Sequence, residues 1–338
     1  MELVEQMLKG ESVSLSRVIS LVENESSKVP EIMRLINPCI GKAYCVGITG
    51  PSGAGKSTLV DKLTALVRRE NLKVGIIAVD PSSPFSGGAV LGDRIRMQQH
   101  YLDEGVFIRS MATRGSMGGL PQTASSVIKV LDAFGKDIIL VETVGVGQTE
   151  VDIMENVDTV VVTLSPESGD AVQTMKAGLF EIADIFVVNK ADHPGAANFI
   201  QAMQTMLQLH NGSGWWDIPV VATEAVNNIG IGELYQQIQR HHQALSETGR
   251  LSQRRQQQRK DEFIKTIEGK IVRGLVKSIE QDSQLSAIAK KVEKGEIDPY
   301  SAADEILKLG KLLASWLPRN SPSPGGRELE GGGNSPSP

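Results

Sequence analysis

Gly50-Pro51-Ser52-Gly53-Ala54-Gly55-Lys56-Ser57 is the stretch whose residue types speak most directly of chemistry. Glycines let backbone N–H groups wrap a phosphate, a lysine reaches the β and γ oxygens, and a hydroxyl ligates Mg2+. The octapeptide fits G-x-x-x-x-G-K-[ST]. It stands between an apolar run ending at Ile48 and a helical pattern opened by Thr58, Leu59, Leu63 and Leu66. That strand-to-helix context is what marks a P-loop. Chance would supply the four fixed positions in a chain of this length roughly once in a hundred.

Asn189-Lys190-Ala191-Asp192 follows a second apolar run, Ile185 to Val188, where a nucleotide base would rest at the carboxyl edge of a parallel sheet. A carboxylate at Asp192 accepts from guanine N1–H and the 2-amino group, whereas adenine offers an acceptor at N1 and no 2-amino donor. The tetrapeptide therefore selects GTP over ATP. Glu142-Thr143-Val144-Gly145 follows a third run and has the form of a γ-phosphate sensor, with a glycine N–H for the phosphate and an acid near Mg2+. Val146 comes next, not a water-orienting Gln, so hydrolysis should be slow unless a partner completes the site. Asp80 and Asp93 bracket a Ser/Gly-rich loop suited to ordering around Mg2+ and the γ-phosphate, although Asp93 reads equally well as a helix N-cap before Ile95. Asp170, Gln173 and Lys176 are three apart and would share a helix face. On spacing alone Lys176 is a solvated lysine.

The elements that must hold these residues alternate from Tyr44 onward. Short β-branched runs at Cys45 to Ile48, Val74 to Val79, Val106 to Ile108, Ile138 to Val141, Val160 to Leu164, Ile185 to Val188 and Ile218 to Val221 are separated by helical segments. That rhythm predicts an α/β fold with a doubly wound, mostly parallel sheet. Leu15, Val18, Ile19 and Val22, then Ile32, Met33, Leu35 and Ile36, predict an N-terminal helical extension over 1–40. The GTPase domain would span 41–248 and a C-terminal helical arm 249–317, with a helix starting at Asp298-Pro299. The basic run Arg254, Arg255, Arg259 and Lys260, beside Asp261 and Glu262, reads as a solvated helix face. Residues 318–338, rich in Ser, Pro and Gly, read as a disordered tail compatible with a vector or read-through origin.

Bulk properties narrow the partners. A formal net charge of −5 supplies no positive field for nucleic acid or an anionic membrane, and no apolar run is long enough to span a bilayer. The two cysteines, Cys39 and Cys45, form no disulfide framework, and the acidic N-terminus is unlike a targeting peptide. A cytoplasmic location is expected.

Together these residues resemble the MeaB/ArgK family, the GTPases that accompany adenosylcobalamin-dependent methylmalonyl-CoA mutase and related acyl-CoA mutases. The likeness runs from about residue 1 to about 310. It includes Leu15 to Asn24, Val79 to Gly88, Gly92 to Met97, Glu142 to Gln148, Ser165-Pro-Glu-Ser-Gly-Asp170 and Asn189 to Asp192. The resemblance implies that Asp80, Asp93 and Glu142 surround Mg2+ together with Ser57. It implies that Asp170 to Lys176 is a third switch, and that Glu224, Ala225 and Val226 border the base, with Ala225 N–H donating to guanine O6. It also implies a homodimer through the C-terminal helices and a role as G-protein chaperone that gates cobalamin loading and protects or rescues the mutase. Two rivals remain at this level. A nickel-insertion GTPase would normally carry a metal-binding stretch, for which only His241-His242 could serve. A P-loop kinase linked to arginine transport is opposed by Asp192 and the third switch.

Overall fold

The computed structural model of the chain describes residues 2–80, 97–113, 120–144, 150–167, 179–210 and 214–308. Three helices come first, α1 (Glu2–Leu8), α2 (Ser12–Glu23) and α3 (Val29–Ile36). Then follow β1 (Tyr44–Thr49), α4 (Lys56–Arg69), β2 (Val74–Asp80), β3 (Val106–Ala112), α5 (Ala124–Ala133), β4 (Ile138–Glu142) and β5 (Thr159–Leu164). The chain continues through α6 (Leu179–Ile182), β6 (Ile185–Asn189), α7 (Ala196–His210), β7 (Val220–Thr223), α8 (Ile231–Glu247), α9 (Arg250–Gln281), α10 (Ser283–Glu293) and α11 (Pro299–Lys308).

The seven strands form one sheet in the order β3-β2-β4-β1-β5-β6-β7, and every pairing is parallel. Parallel strands are covered on both faces, which is why β2, β4, β5 and β6 are buried along their whole length. Alternate residues feed two cores. Cys45, Ile77, Ile139, Val141, Val160 and Phe186 pack with the apolar stripes of α1, α2, α3, α5 and α7. Val46, Ile48, Ile76, Leu140, Val161 and Val187 pack against Leu59 and Leu63 of α4 and Leu234 and Ile238 of α8. The last strand begins two residues later than the apolar run suggests. Pro219 has no N–H for the ladder and contributes only its carbonyl, which accepts from Phe186 N at 2.9 Å.

Residues 1–258 and 259–338 are two compact units, divided within α9. The N-terminal helices belong to the core of the first unit, with Leu15, Val18 and Ile19 fully buried. Arg254 and Arg255 depart from the solvated face expected for them. Arg255 forks onto Asp158 at 2.9 and 2.7 Å, and Arg254 Nη1 lies 3.1 Å from Asp184 Oδ2. In the second unit Asp298 caps α11 by accepting from Tyr300 N and Ser301 N at 3.0 Å.

Candidate nucleotide site

The central strand β1 ends at Thr49, and the chain then turns through Gly50 to Gly55 into the first turn of α4. Backbone geometry dictates the glycines. Gly50 has φ +132°, and a Cβ there would lie 2.0 Å from the backbone oxygen of Thr163 on β5. Gly55 has φ +91°, and its Cβ would lie 2.2 Å from Asn189 Nδ2. Neither position admits a side chain without displacing a neighbouring strand end. Lys56 is buried and its Nζ donates to Gly50 O at 2.8 Å and Pro51 O at 3.1 Å, so the amine lies across the loop that α4 opens with its N-terminal N–H groups.

Register brings the oxygen ligands together. Ile48 pairs with Glu142 on β4, which sets Ser57 Oγ to donate to Glu142 Oε1 at 2.6 Å. Thr49 and Thr143 hydroxyls meet beneath at 2.7 Å. Asp80, also buried, ends β2 two residues past Ala78, the partner of Glu142. A hydroxyl and two carboxylates at the ends of neighbouring strands are hard oxygen donors, the set that Mg2+ takes alongside phosphate and water. Among the described residues no group of three His, Cys, Asp or Glu forms a metal cluster. His241 and His242, adjacent in sequence, part company: His241 Nδ1 meets Thr159 Oγ1 at 2.8 Å, whereas the His242 ring stacks on Tyr44 at 3.9 Å.

At the next strand pair Asn189 is a hub. Its Nδ2 donates to Ala54 O at 2.9 Å, and its Oδ1 accepts from Thr223 Oγ1 at 3.1 Å and Ala225 N at 3.0 Å. The phosphate loop and the β7 loop are thereby joined through one buried amide. This differs from the expectation for Ala225, whose N–H is engaged by Asn189 and whose residue is 2% exposed. Val226, its neighbour, is 81% exposed, and Glu224 N–H donates to Ile229 O at 3.1 Å. Lys190 turns out of the strand in the left-handed region at φ +59°. Ala191 N is fixed to Thr223 O at 3.0 Å, and the Asp192 side chain stands half-exposed beyond it.

Gly50, Ser52, Gly53, Ala54, Gly55, Lys56, Ser57 and Thr58 thus form one loop and helix start, with Glu142, Asp80 and Asn189 around it. Asp93, Gly145, Asp170, Gln173 and Lys176 lie outside the described residues. Sequence reasoning passed over Thr49, Thr143 and Thr223. It also passed over Glu167, whose carboxylate takes Lys190 Nζ at 2.7 Å and His193 Nδ1 at 2.6 Å. Those hydrogen bonds, that of Lys190 before that of His193, hold the Glu167 carboxyl below the usual carboxylate range.

The family model described as "Methylmalonyl Co-A mutase-associated GTPase MeaB" matches residues 15–280. A putative GTPase of Pyrococcus abyssi is 54% identical over 311 residues, covering 91% of this chain and 95% of its own. The GTPase ArgK of Escherichia coli is 34% identical over 313 residues, covering 90% and 95%. The mouse mitochondrial methylmalonic aciduria type A homolog is 32% identical over 323 residues, covering 90% and 78%. Among solved structures, a LAO/AO transport system kinase superposes with a TM-score of 0.67 at 28% identity, over 92% of this chain and 97% of that one. Motif order, sheet topology and sequence similarity over nine-tenths of the chain converge: the chain belongs to the MeaB family of GTPases.

Proposed function

We propose that this GTPase is a chaperone for an adenosylcobalamin-dependent acyl-CoA mutase, methylmalonyl-CoA mutase or a relative, gating cofactor loading and protecting or reactivating the enzyme. The observation that carries the reading is the family match across residues 15–280, which includes every nucleotide motif. Its chemistry is in-line attack of water on the γ-phosphate of GTP, and the protein supplies position and charge. Lys56 and the N-terminal N–H groups of α4 neutralise the phosphates. Ser57, held by Glu142 at 2.6 Å, would bind Mg2+ with Asp80, Asp93 and Glu142 arranged around it. Bound there, Mg2+ would supply Lewis-acid neutralisation of phosphate charge. Asp192 reads guanine, and Gly145 senses the γ-phosphate. Val146 provides no carboxamide to orient water, so a partner acting through Asp170, Gln173 and Lys176 completes the site.

A cytoplasmic, homodimeric protein is part of the same reading. Among the described residues no helix is long and apolar enough to cross a membrane. Within the second unit α9 exposes Phe263, Ile264, Ile267 and Ile271 along one side, an apolar stripe that a second copy would cover.

The test is GTP turnover by the full chain, alone and with mutase holoenzyme. Slow basal hydrolysis accelerated by the mutase is expected. Fast hydrolysis that no cobalamin-dependent mutase alters would overturn the chaperone reading.

A further inference from the structure

The register of β5 and β6 brings two loops side by side. Leu164 pairs with Val188, so the chain leaving β5 toward Glu167 runs next to the chain leaving β6 toward Lys190 and His193. Glu167 uses both carboxylate oxygens on that neighbour, Oε2 for Lys190 Nζ at 2.7 Å and Oε1 for His193 Nδ1 at 2.6 Å. The other nitrogen of the imidazole, Nε2, is 3.8 Å from Asp192 Oδ2. A turn closed by His193 N–H donating to Lys190 O at 3.0 Å fixes the ring's backbone. His193 therefore stands between two carboxylates, one anchoring it and one that it faces.

We propose that His193, anchored by Glu167, is a positioning residue for Asp192 and sharpens the choice of guanine. This rests on the reading of Asp192 as the base-selecting carboxylate. Reading guanine takes both Asp192 oxygens, one for N1–H and one for the 2-amino group, so the carboxylate plane must coincide with the plane of the base. An aspartate side chain that is 49% exposed on a turn has rotamers to spare, and each misdirected one loses the second contact first. The imidazole edge restricts those rotamers. Its anchor lies in the loop after β5, so the setting of the base-reading carboxylate follows the position of that loop.

The experiment compares GTP, inosine triphosphate and ATP binding to the full chain, because inosine keeps N1–H and lacks the 2-amino group. His193→Ala should lower GTP affinity about two- to fivefold, the range expected when one exposed side chain regains its rotamers, with little change for inosine triphosphate. The ratio between the two falls accordingly. His193→Asn presents a donor near the Nδ1 position for Glu167 and has no atom at the Nε2 position, so it should match His193→Ala. Glu167→Ala should lower the ratio too, and the double variant should be no worse than Glu167→Ala alone because His193 acts on Asp192 in series with its anchor. Melting without nucleotide should stay put in all of them. A wild-type GTP-to-inosine ratio in His193→Ala, or its full rescue by Asn, would overturn the proposal and leave a loop staple. Asp192→Asn run in parallel separates the two levels: if it too leaves guanine preference untouched, the base-site reading itself fails.

Discussion

Asn189→Ala tests the architecture of the site without any nucleotide. The amide is 3% exposed and spans three elements, donating to Ala54 O and accepting from the Thr223 hydroxyl and the Ala225 N–H. Truncation strands two donors and one carbonyl, and Thr223 and Ala225 are 0% and 2% exposed. Each hydrogen bond is worth about 0.5–1.5 kcal/mol net, so the nucleotide-free protein should lose about 2–4 kcal/mol. Asn189→Asp keeps the acceptor for Thr223 and Ala225 but turns a carboxylate oxygen toward the Ala54 carbonyl, so it should be no milder. A cycle with Gly55→Ala adds a sharper criterion. The Cβ at Gly55 would meet Asn189 Nδ2 at 2.2 Å, so removing that amide relieves the clash and leaves chiefly the cost of φ +91°, about 1–2 kcal/mol. The double variant should therefore be more stable than the sum of the two single losses implies. Urea unfolding read by tryptophan fluorescence supplies all four free energies. A loss below about 0.5 kcal/mol for Asn189→Ala, or strict additivity with Gly55→Ala, would refute the hub.

Three further outcomes are expected. Asp192→Asn should weaken GTP and favour xanthosine triphosphate, whose 2-oxygen accepts from the new amide, by about tenfold to a hundredfold in competition binding. Arg255→Ala should cost about 3–5 kcal/mol in unfolding free energy, because it leaves Asp158, 3% exposed at its side chain, without its fork. His241 sets a pH dependence. Burial pushes its imidazole down to about 4, against the pull of Asp184, so between about 4 and the unfolded value of about 6.5 the unfolded chain binds the extra proton. Stability from this residue is complete above pH 6.5 and declines as pH falls toward 4, by on the order of 3 kcal/mol in all. Denaturation midpoints between pH 7 and pH 5 should show a slope that is absent in His241→Phe.

The parts of the fold carried by neighbouring residues were legible in sequence. Each strand announced itself as an apolar run, and the P-loop declared its strand and helix because its glycines, lysine and serine must be contiguous to wrap one phosphate chain. Strand order was not legible, since nothing in the run Val74 to Val79 says that β4 will lie between it and β1. The role of Asn189 was half visible. Its place in the guanine motif is local, but Thr223 and Ala225 are 34 and 36 residues away and meet it only through the pairing of β6 with β7. The basic pair misled for the same reason. Asp261 and Glu262 offered nearby acids that made a solvated face plausible, whereas the actual partners, Asp184 and Asp158, are 70 and 97 residues distant. Charge patterning along a helix records its near neighbours and is silent about a sheet edge.

The sheet also separates two kinds of buried polarity, and the separation decides what a substitution should disturb. At the amino ends of β1 and β5, Tyr44 meets Thr159, Thr159 meets His241, and His241 lies 3.4 Å from Asp184, which Arg254 also reaches. Trp215 and Trp216 cover the fully buried His241 ring at 5.6 and 4.9 Å. That network joins side chains under a roof of aromatics, so its energy goes into holding strands and α8 together. At the carboxyl ends, Ser57, Glu142, Lys56 and Asn189 are buried as well, but they converge where glycines leave the backbone bare and where α4 presents its N–H groups. Hydrogen bonds such as Ser57 to Glu142 can be exchanged there for bonds to phosphate and metal at little net loss, because each partner keeps a charged or polar contact after the exchange. Changes at the amino edge should therefore shift stability and leave nucleotide choice alone, whereas changes to the buried groups at the carboxyl edge should move both together.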